Sequence, residues 1–352
     1  IDESTYLANF EIMEGGNSYL ASENIPVTNL IISDGPVQSL PYNLPIIQGN
    51  DLLDAQLPVI NSAVAVSGIY GIGDILVLNI SADGLNYILH PSSTVNGVPA
   101  SEPHVLLTES GGGNYSLSYV IQDGDNDVAV GELLGSLMLV KPSGNISLPY
   151  TEIGNIASVA IDAHAPVIAR MEVPDIEVGV GGTVQVTITA DEEGYLASDG
   201  SIINGIPLSS PRVTFSERTG GLYELSYLVE AGDADVAPGE LVVRMVMTDP
   251  AGNTNEPFNL LDLNALEVYT DLPVALLVEG TPEICEEETA ELTVFLEGRL
   301  PWTFDFYDGT DTTTYEGVTS NIFNITLAPM ETNSYRILKV WDVNEVENTG
   351  SG

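Results

Sequence analysis

Positive charge is scarce in this chain. Lys and Arg number 8 against 51 Asp and Glu, a formal net charge of -43 over 352 residues. A surface of that sign repels polyanions, which excludes nucleic acid as a partner. Cysteine is nearly absent too. Cys285 stands alone, so no disulfide framework forms within the chain. That absence does not point to a reducing compartment, because domains near 100 residues bury a sufficient core without staples. No apolar run reaches the roughly 18 residues of a membrane span. Ile1 opens the sequence without a basic and apolar leader pattern, and is read as the start of a processed or excised segment. Histidine occurs three times, as His90, His104 and His164.

The acid is dispersed over the whole length. Residues 1–60 hold no Lys or Arg, and residues 61–165 hold only Lys141. An acidic tail would be a disordered appendage. Acid spread over hydrophobic repeats instead means solvated faces, solubility at high salt, or divalent-cation binding. Screening over about 8–10 Å makes the self-repulsion tolerable.

What is present is repetition. Residues 70–145 match residues 178–253 at a constant offset of 108 with no gap. Asn96-Gly97-Val98-Pro99 aligns with Asn204-Gly205-Ile206-Pro207, and Tyr115-Ser-Leu-Ser-Tyr119 with Tyr223-Glu-Leu-Ser-Tyr227. The run from Gly124 to Leu133 aligns with the run from Gly232 to Leu241, and Pro142-Ser-Gly-Asn145 with Pro250-Ala-Gly-Asn253. Such a period marks a repeat architecture. Residues 1–60 read as the C-terminal half of a diverged copy. Tyr6 to Phe10 sit like Tyr223 to Tyr227, Ser33-Asp34 like Thr248-Asp249, and Pro58 like Pro273. Repeats then occupy 61–165 and 166–273. A different module fills 274–352 and lacks an evident final strand.

The hydrophobic period is two. Val184, Val186, Ile188 and Ala190 alternate with polar residues, as do Leu76, Leu78, Ile80 and Ala82, and Ala290, Leu292, Val294 and Leu296. Alternate strand side chains point to opposite faces, so this pattern buries one face and wets the other. Turn signals bound the strands: Asn96-Gly97, Gly111-Gly-Gly113, Asp308-Gly309. The fold class expected is all-β, as tandem immunoglobulin-like β-sandwich domains in a rod.

At these residues a family resemblance enters. Tyr223 to Tyr227, the Gly232-Asp loop and the closing Asp249-Pro-Ala-Gly-Asn253 resemble the bacterial immunoglobulin-like repeats of large surface adhesins. The first copy departs from this pattern, with Lys141 at the closing Asp. The last module, through Ile284-Cys285, Pro301-Trp302, Asp308-Gly309 and Asp342-Val-Asn344, resembles Ig/PKD-like repeats of giant surface proteins of gliding marine Bacteroidota. Family members often carry a second cysteine just after the last of these motifs; Glu345 stands there, so the usual disulfide cannot form. The resemblance implies type IX secretion, a bacterial cell-surface location, and roles in adhesion, gliding or prey capture, as in a filament or grappling-hook component. It implies neighbouring repeats, a homo-oligomer or filament, and cell-surface or glycan targets as partners. The alternative is a set of spacer or carbohydrate-binding modules of a secreted hydrolase.

Residues with catalytic potential are few. Positions equivalent to the three histidines in the second copy are Ser198, Arg212 and Leu272, and no Gly-x-Ser-x-Gly elbow is present. The chain is read as not an enzyme. Trp302 reads as a core plug rather than a sugar platform, and Cys285 lacks partners at zinc spacing. Calcium is the one cofactor the residues suggest. Asp123, Asp125 and Asp127 place carboxylates at alternate loop positions with Glu132 nearby; the second copy offers Asp233, Asp235 and Glu240. Calcium takes about 6–8 hard oxygen ligands from such loops. The EF-hand template is not met, since Val128 and Leu134 replace its Gly and Glu. Asp83, Asp191, Asp162 and Asp271 are further candidate ligands. The competing reading is a solvated polar turn.

Overall fold

The computed structural model describes residues 5–49, 51–260, 265–278, 283–285, 287–351. The chain divides into two compact units. One is Ile1–Ala165 with Ala251–Asn253; the other is Pro166–Pro250 with Thr254–Gly352. Among the described residues the only helix is the short 3-10 turn Ile156–Ser158.

In the first unit, strands Ile60–Ala65, Ile75–Ala82, Asn114–Val120 and Val105–Gly111 pair antiparallel in that spatial order, and Ile153–Gly154 joins the same sheet in parallel beside Ile60–Ala65. The order skips sequence neighbours, as a Greek key requires. Across the core lie Ile88–Leu89, paired with Leu139–Val140, and the small sheet of Gly135–Ser136, Thr94–Val95 and Val98–Pro99. The chain's path then switches sheets: Gly68–Tyr70 pairs in parallel with Val159–Ile161. Four antiparallel strands facing a second sheet that includes the last strand is the immunoglobulin-like arrangement. Leu76, Leu78, Leu117 and Tyr119 point inward and are buried with Leu137 and Leu139. The period of two thus places the core as the pattern demanded.

The second unit repeats this arrangement. Ile168–Glu172, Thr183–Ala190, Leu222–Leu228 and Val213–Glu217 form the four-stranded sheet. Glu177–Val178 pairs in parallel with Glu267–Val268. Val184, Val186, Ile188, Tyr223, Leu225 and Tyr227 fill a second core. A third core lies in residues 275–340 around Trp302, Phe304, Phe306 and Val294. It sits between a three-stranded sheet (Val274–Val278, Ala290–Glu297, Ile322–Leu327) and a four-stranded one. The expectation that this module lacks a final strand is corrected: Glu347–Thr349 pairs with Arg336–Trp341, and Ser351 bridges Leu276 in parallel. Its polar composition, Glu-Asn-Thr, hid it from a hydrophobicity reading.

Residues 5–57 are different. Their pairing is a single ribbon: Tyr19↔Leu53, Ile25↔Ile46, Leu30↔Tyr42, closed by the hairpin Ser33–Asp34 with Val37–Gln38. Tyr6 to Phe10, expected to sit like a strand, form none.

Candidate functional site: the acidic loops and the linker clasps

The two Gly-Asp loops follow the inward-facing tyrosines, and this fixes their geometry. Tyr119 is fully buried, yet its hydroxyl needs an acceptor. Asp125 Oδ2 supplies one at 2.7 Å and also accepts the Gln122 N–H at 2.8 Å. The second repeat does the same. Tyr227 donates to Asp233 Oδ2 at 2.7 Å, and that oxygen also accepts the Glu230 N–H at 2.8 Å. Arg212 adds a two-pronged contact to Asp233, Nη1 at 2.7 Å and Nη2 at 3.1 Å. Hydrogen bonds from Arg212, reinforced by the Tyr227 hydroxyl and outweighing the cost of burial, hold the Asp233 carboxyl down at about 2. Burial, then the hydrogen bond to Asp233, pushes the Tyr227 hydroxyl up to about 12. Burial, then the hydrogen bond to Asp125, raises the Tyr119 hydroxyl likewise. Asp125 and Asp233, at equivalent positions of the two loops, are therefore clasps that close the turn against a core tyrosine.

The next Asp in each loop grips the end of the last strand. Asp127 Oδ1 accepts the Ala163 N–H at 2.7 Å, and the His164 Nδ1 lies 3.0 and 2.9 Å from its two oxygens. Asp235 Oδ1 accepts both the N–H and the hydroxyl of Thr270 at 2.8 Å. Asp127, Asp162 and His164 bring ligand atoms within 4.8 Å of one another, the one such trio among the described residues. The hydrogen bond to Asp127 and that carboxylate's charge raise the His164 imidazole above its usual value. The second repeat places Tyr269 where Asp162 stands, so the trio is not reproduced there. Asp123, Glu132 and Glu240 are exposed and join no such group. Of the seven sequence candidates, only Asp127 enters the trio, with Asp162 beside it; His164, read from sequence as an unremarkable histidine, is its third member.

A second set of contacts had a sequence signal that composition did not reveal. Asp83 Oδ1 accepts the Val59 N–H at 2.9 Å and the Tyr87 hydroxyl at 3.1 Å. Asp191 Oδ1 accepts the Val167 N–H at 2.9 Å and the Tyr195 hydroxyl at 3.0 Å. Each ties the segment entering a repeat to the end of a core strand. These two aspartates, candidate ligands by sequence, accept these hydrogen bonds through Oδ1. The closing Asn of the Pro-x-Gly-Asn turn acts on the same segment. Asn145 Nδ2 donates to the carbonyls of Asp54 (2.8 Å) and Gln56 (3.0 Å). Asn253 Nδ2 donates to those of Asp162 (2.9 Å) and His164 (3.2 Å), and its Oδ1 accepts the Ile72 N–H at 2.6 Å. The shared Asn145 and Asn253 in the two copies were the available signal.

Other residues singled out by sequence have simpler places. Trp302 is buried in the third core and Cys285 is exposed. His104 packs against Tyr119 with ring centroids 6.0 Å apart. Gly111 to Gly113 form the hairpin tip between Val105–Gly111 and Asn114–Val120.

No protein-family profile and no curated protein sequence matches the chain. Among solved structures it is similar to the I-band fragment I67-I69 from titin, at 12% identity and a TM-score of 0.35, covering 84% of this chain and 98% of that one. It is also similar to a Ca2+-stabilized adhesin of an Antarctic bacterium, at 13% identity and a TM-score of 0.34, covering 91% and 79%. A third is a 1.5-MDa bacterial ice-binding adhesin, at 13% identity and a TM-score of 0.28, covering 84% and 96%. The immunoglobulin-like assignment stands on the strand pairings above and needs none of these likenesses.

Proposed function

We propose that this chain is a structural and adhesive segment of a large extracellular bacterial surface protein or filament, working as a semi-rigid rod of immunoglobulin-like repeats. Domain limits near residues 60, 165 and 273 belong to this reading. The observation that carries it is the linker clasp made twice by Asn145 and Asn253. A flexible tether needs no such contact. A linker whose carbonyls are held by a side-chain amide, and whose exit N–H is held by Asp83 or Asp191, loses freedom to bend. The excess of 51 acids over 8 bases keeps such a surface soluble in salt.

Calcium enters this reading as an accessory ion. Asp127 and Asp162 would supply two hard oxygens, while the His164 nitrogen suits calcium poorly, so the donor set meets only part of the roughly 6–8 ligands the ion takes. The clasps themselves are complete as hydrogen bonds, so stiffness in this reading does not depend on the metal. Small-angle scattering tests the rod: the chain should give an extended profile that chelator leaves unchanged, and the double variant Asn145→Ala/Asn253→Ala should give a broader distribution of lengths. A compact profile for the unaltered chain would overturn the rod. Calcium titration by calorimetry should show one weak site lost in Asp127→Asn; no heat in the unaltered chain removes the ion from the reading.

A further inference from the structure

The ribbon of residues 19–53 makes the same cross-strand pair as the two complete repeats. Leu30↔Tyr42 is followed by Leu137↔Tyr150 and by Met245↔Phe258, at steps of 107 or 108 residues. The outer and inner ends of the ribbon agree as well. Tyr19↔Leu53 corresponds to Val128↔Ile161 and Val236↔Val268, and Ser33↔Gln38 to Val140↔Ile146 and Thr248↔Thr254. Residues 19–53 are thus the hairpin that completes the second sheet of an immunoglobulin-like repeat.

Burial separates the three copies. Leu137, Leu139 and Met245 are 0% exposed, whereas Leu30 and Ile32, the counterparts of Leu137 and Leu139, are each 46% exposed and Tyr42 is 47% exposed. In the complete repeats the covering layer is visible: the four-stranded sheet whose inward residues are Val184, Val186, Leu225 and Tyr227 in one copy and Leu76, Leu78, Leu117 and Tyr119 in the other. The strand register of the ribbon is that of a covered hairpin, and two apolar residues and a tyrosine at the same register positions are left bare. A contiguous apolar face of this kind marks an interaction surface.

We propose that the face of residues 19–53 bearing Leu30, Ile32 and Tyr42 is a docking surface for one occupant: a four-stranded antiparallel sheet of the kind formed here by Ile168–Glu172, Thr183–Ala190, Leu222–Leu228 and Val213–Glu217, with alternating apolar side chains on its inner face. Docking completes a sandwich, with the tyrosine and leucines of the incoming sheet packing on Leu30 and Ile32 as they pack on Leu137 and Leu139. The inference rests on the pairing register and the burial contrast, and stands whether or not the chain is a rod.

The test uses the full chain extended ahead of residue 5 by a copy of residues 166–230 through a Gly/Ser linker, which sets an effective concentration of about millimolar. Hydrogen exchange at the amides of Leu30 and Tyr42, which bond across the ribbon, is compared between the extended and the unextended chain, and circular dichroism reads the β-structure gained by the added segment. Exchange at both amides should slow at least tenfold as the added segment gains β-structure, and Leu30→Asp/Ile32→Asp, substitutions at positions already exposed, should abolish both effects. No slowing in the extended chain overturns the proposal. So does slowing that depends on the concentration of the unextended chain, because a second ribbon would then be the occupant.

Discussion

The Tyr227 hydroxyl donates to Asp233 over 2.7 Å, and Tyr119 makes the same bond to Asp125. In each repeat a side chain buried in the sandwich reaches out six residues along the chain and fastens the loop that follows its strand. The two bonds differ in what remains when the tyrosine is removed. Asp125 keeps the Gln122 N–H, whereas Asp233 keeps Arg212 as well as the Glu230 N–H. Tyr119→Phe should therefore destabilise its repeat by about 1–2 kcal/mol, and Tyr227→Phe by less. Urea unfolding of the two variants gives the order; equal midpoints shifts would show that Arg212 does not share the load.

Acid should act on the second repeat through Asp233. Its carboxyl is held at about 2, against an ordinary value of 3.8, by Arg212. A depressed carboxyl stabilises the fold fully above 3.8 and loses that contribution as pH falls toward 2. The loss is on the order of 2 kcal/mol for this group. Arg212→Met should flatten the stability profile between pH 5 and pH 2. Calorimetric melting across that range checks it, and an unchanged slope would remove the pair from the account.

Base should act through the tyrosines. Tyr227 is pushed up to about 12, and Tyr87, Tyr119 and Tyr195 are raised from 10 by burial and then by bonds to Asp83, Asp125 and Asp191. A raised hydroxyl contributes stability that is whole below pH 10 and is lost as pH climbs through the folded value. The phenolate absorbance should therefore rise in two stages, exposed tyrosines first and these four together with loss of β-structure. Complete phenolate formation with an intact circular dichroism spectrum would contradict the clasps.

Two glycines at equivalent hairpin tips should resist replacement. A Cβ on Gly113 would lie 2.5 Å from the Ala82 carbonyl, and one on Gly221 2.7 Å from the Ala190 carbonyl, both at positive φ. Gly220 also has a positive φ, but its Cβ would meet nothing within 4 Å. Gly221→Ala should cost at least about 1 kcal/mol more than Gly220→Ala, since backbone strain is common to both and the carbonyl clash is not. Thermal midpoints of the two variants decide it.

Much of the fold was legible because burial in a sandwich imposes a period of two. Val184, Val186 and Ile188 could be assigned to one face from sequence, and they are buried together. The last strand, Glu347–Thr349, was missed because its pairing is backbone-driven and its side chains are polar. The acidic loops were legible as loops, but their hydrogen-bond partners were not. Alternate Asp residues resemble calcium ligands in sequence, and nothing in that spacing tells that Asp125 and Asp233 face a tyrosine hydroxyl. Nor does sequence distance suggest that Asp127 meets His164 across 37 positions.

The sequence by itself determined the alternation, the repeat of 108, the turns and the charge, because each of these depends only on neighbours along the chain. Tertiary structure alone decided which carboxylates are clasps and which segments Asn145 and Asn253 hold. Those are matters of which atoms meet after the sheets stack, and hydrogen bonds act only at contact distance.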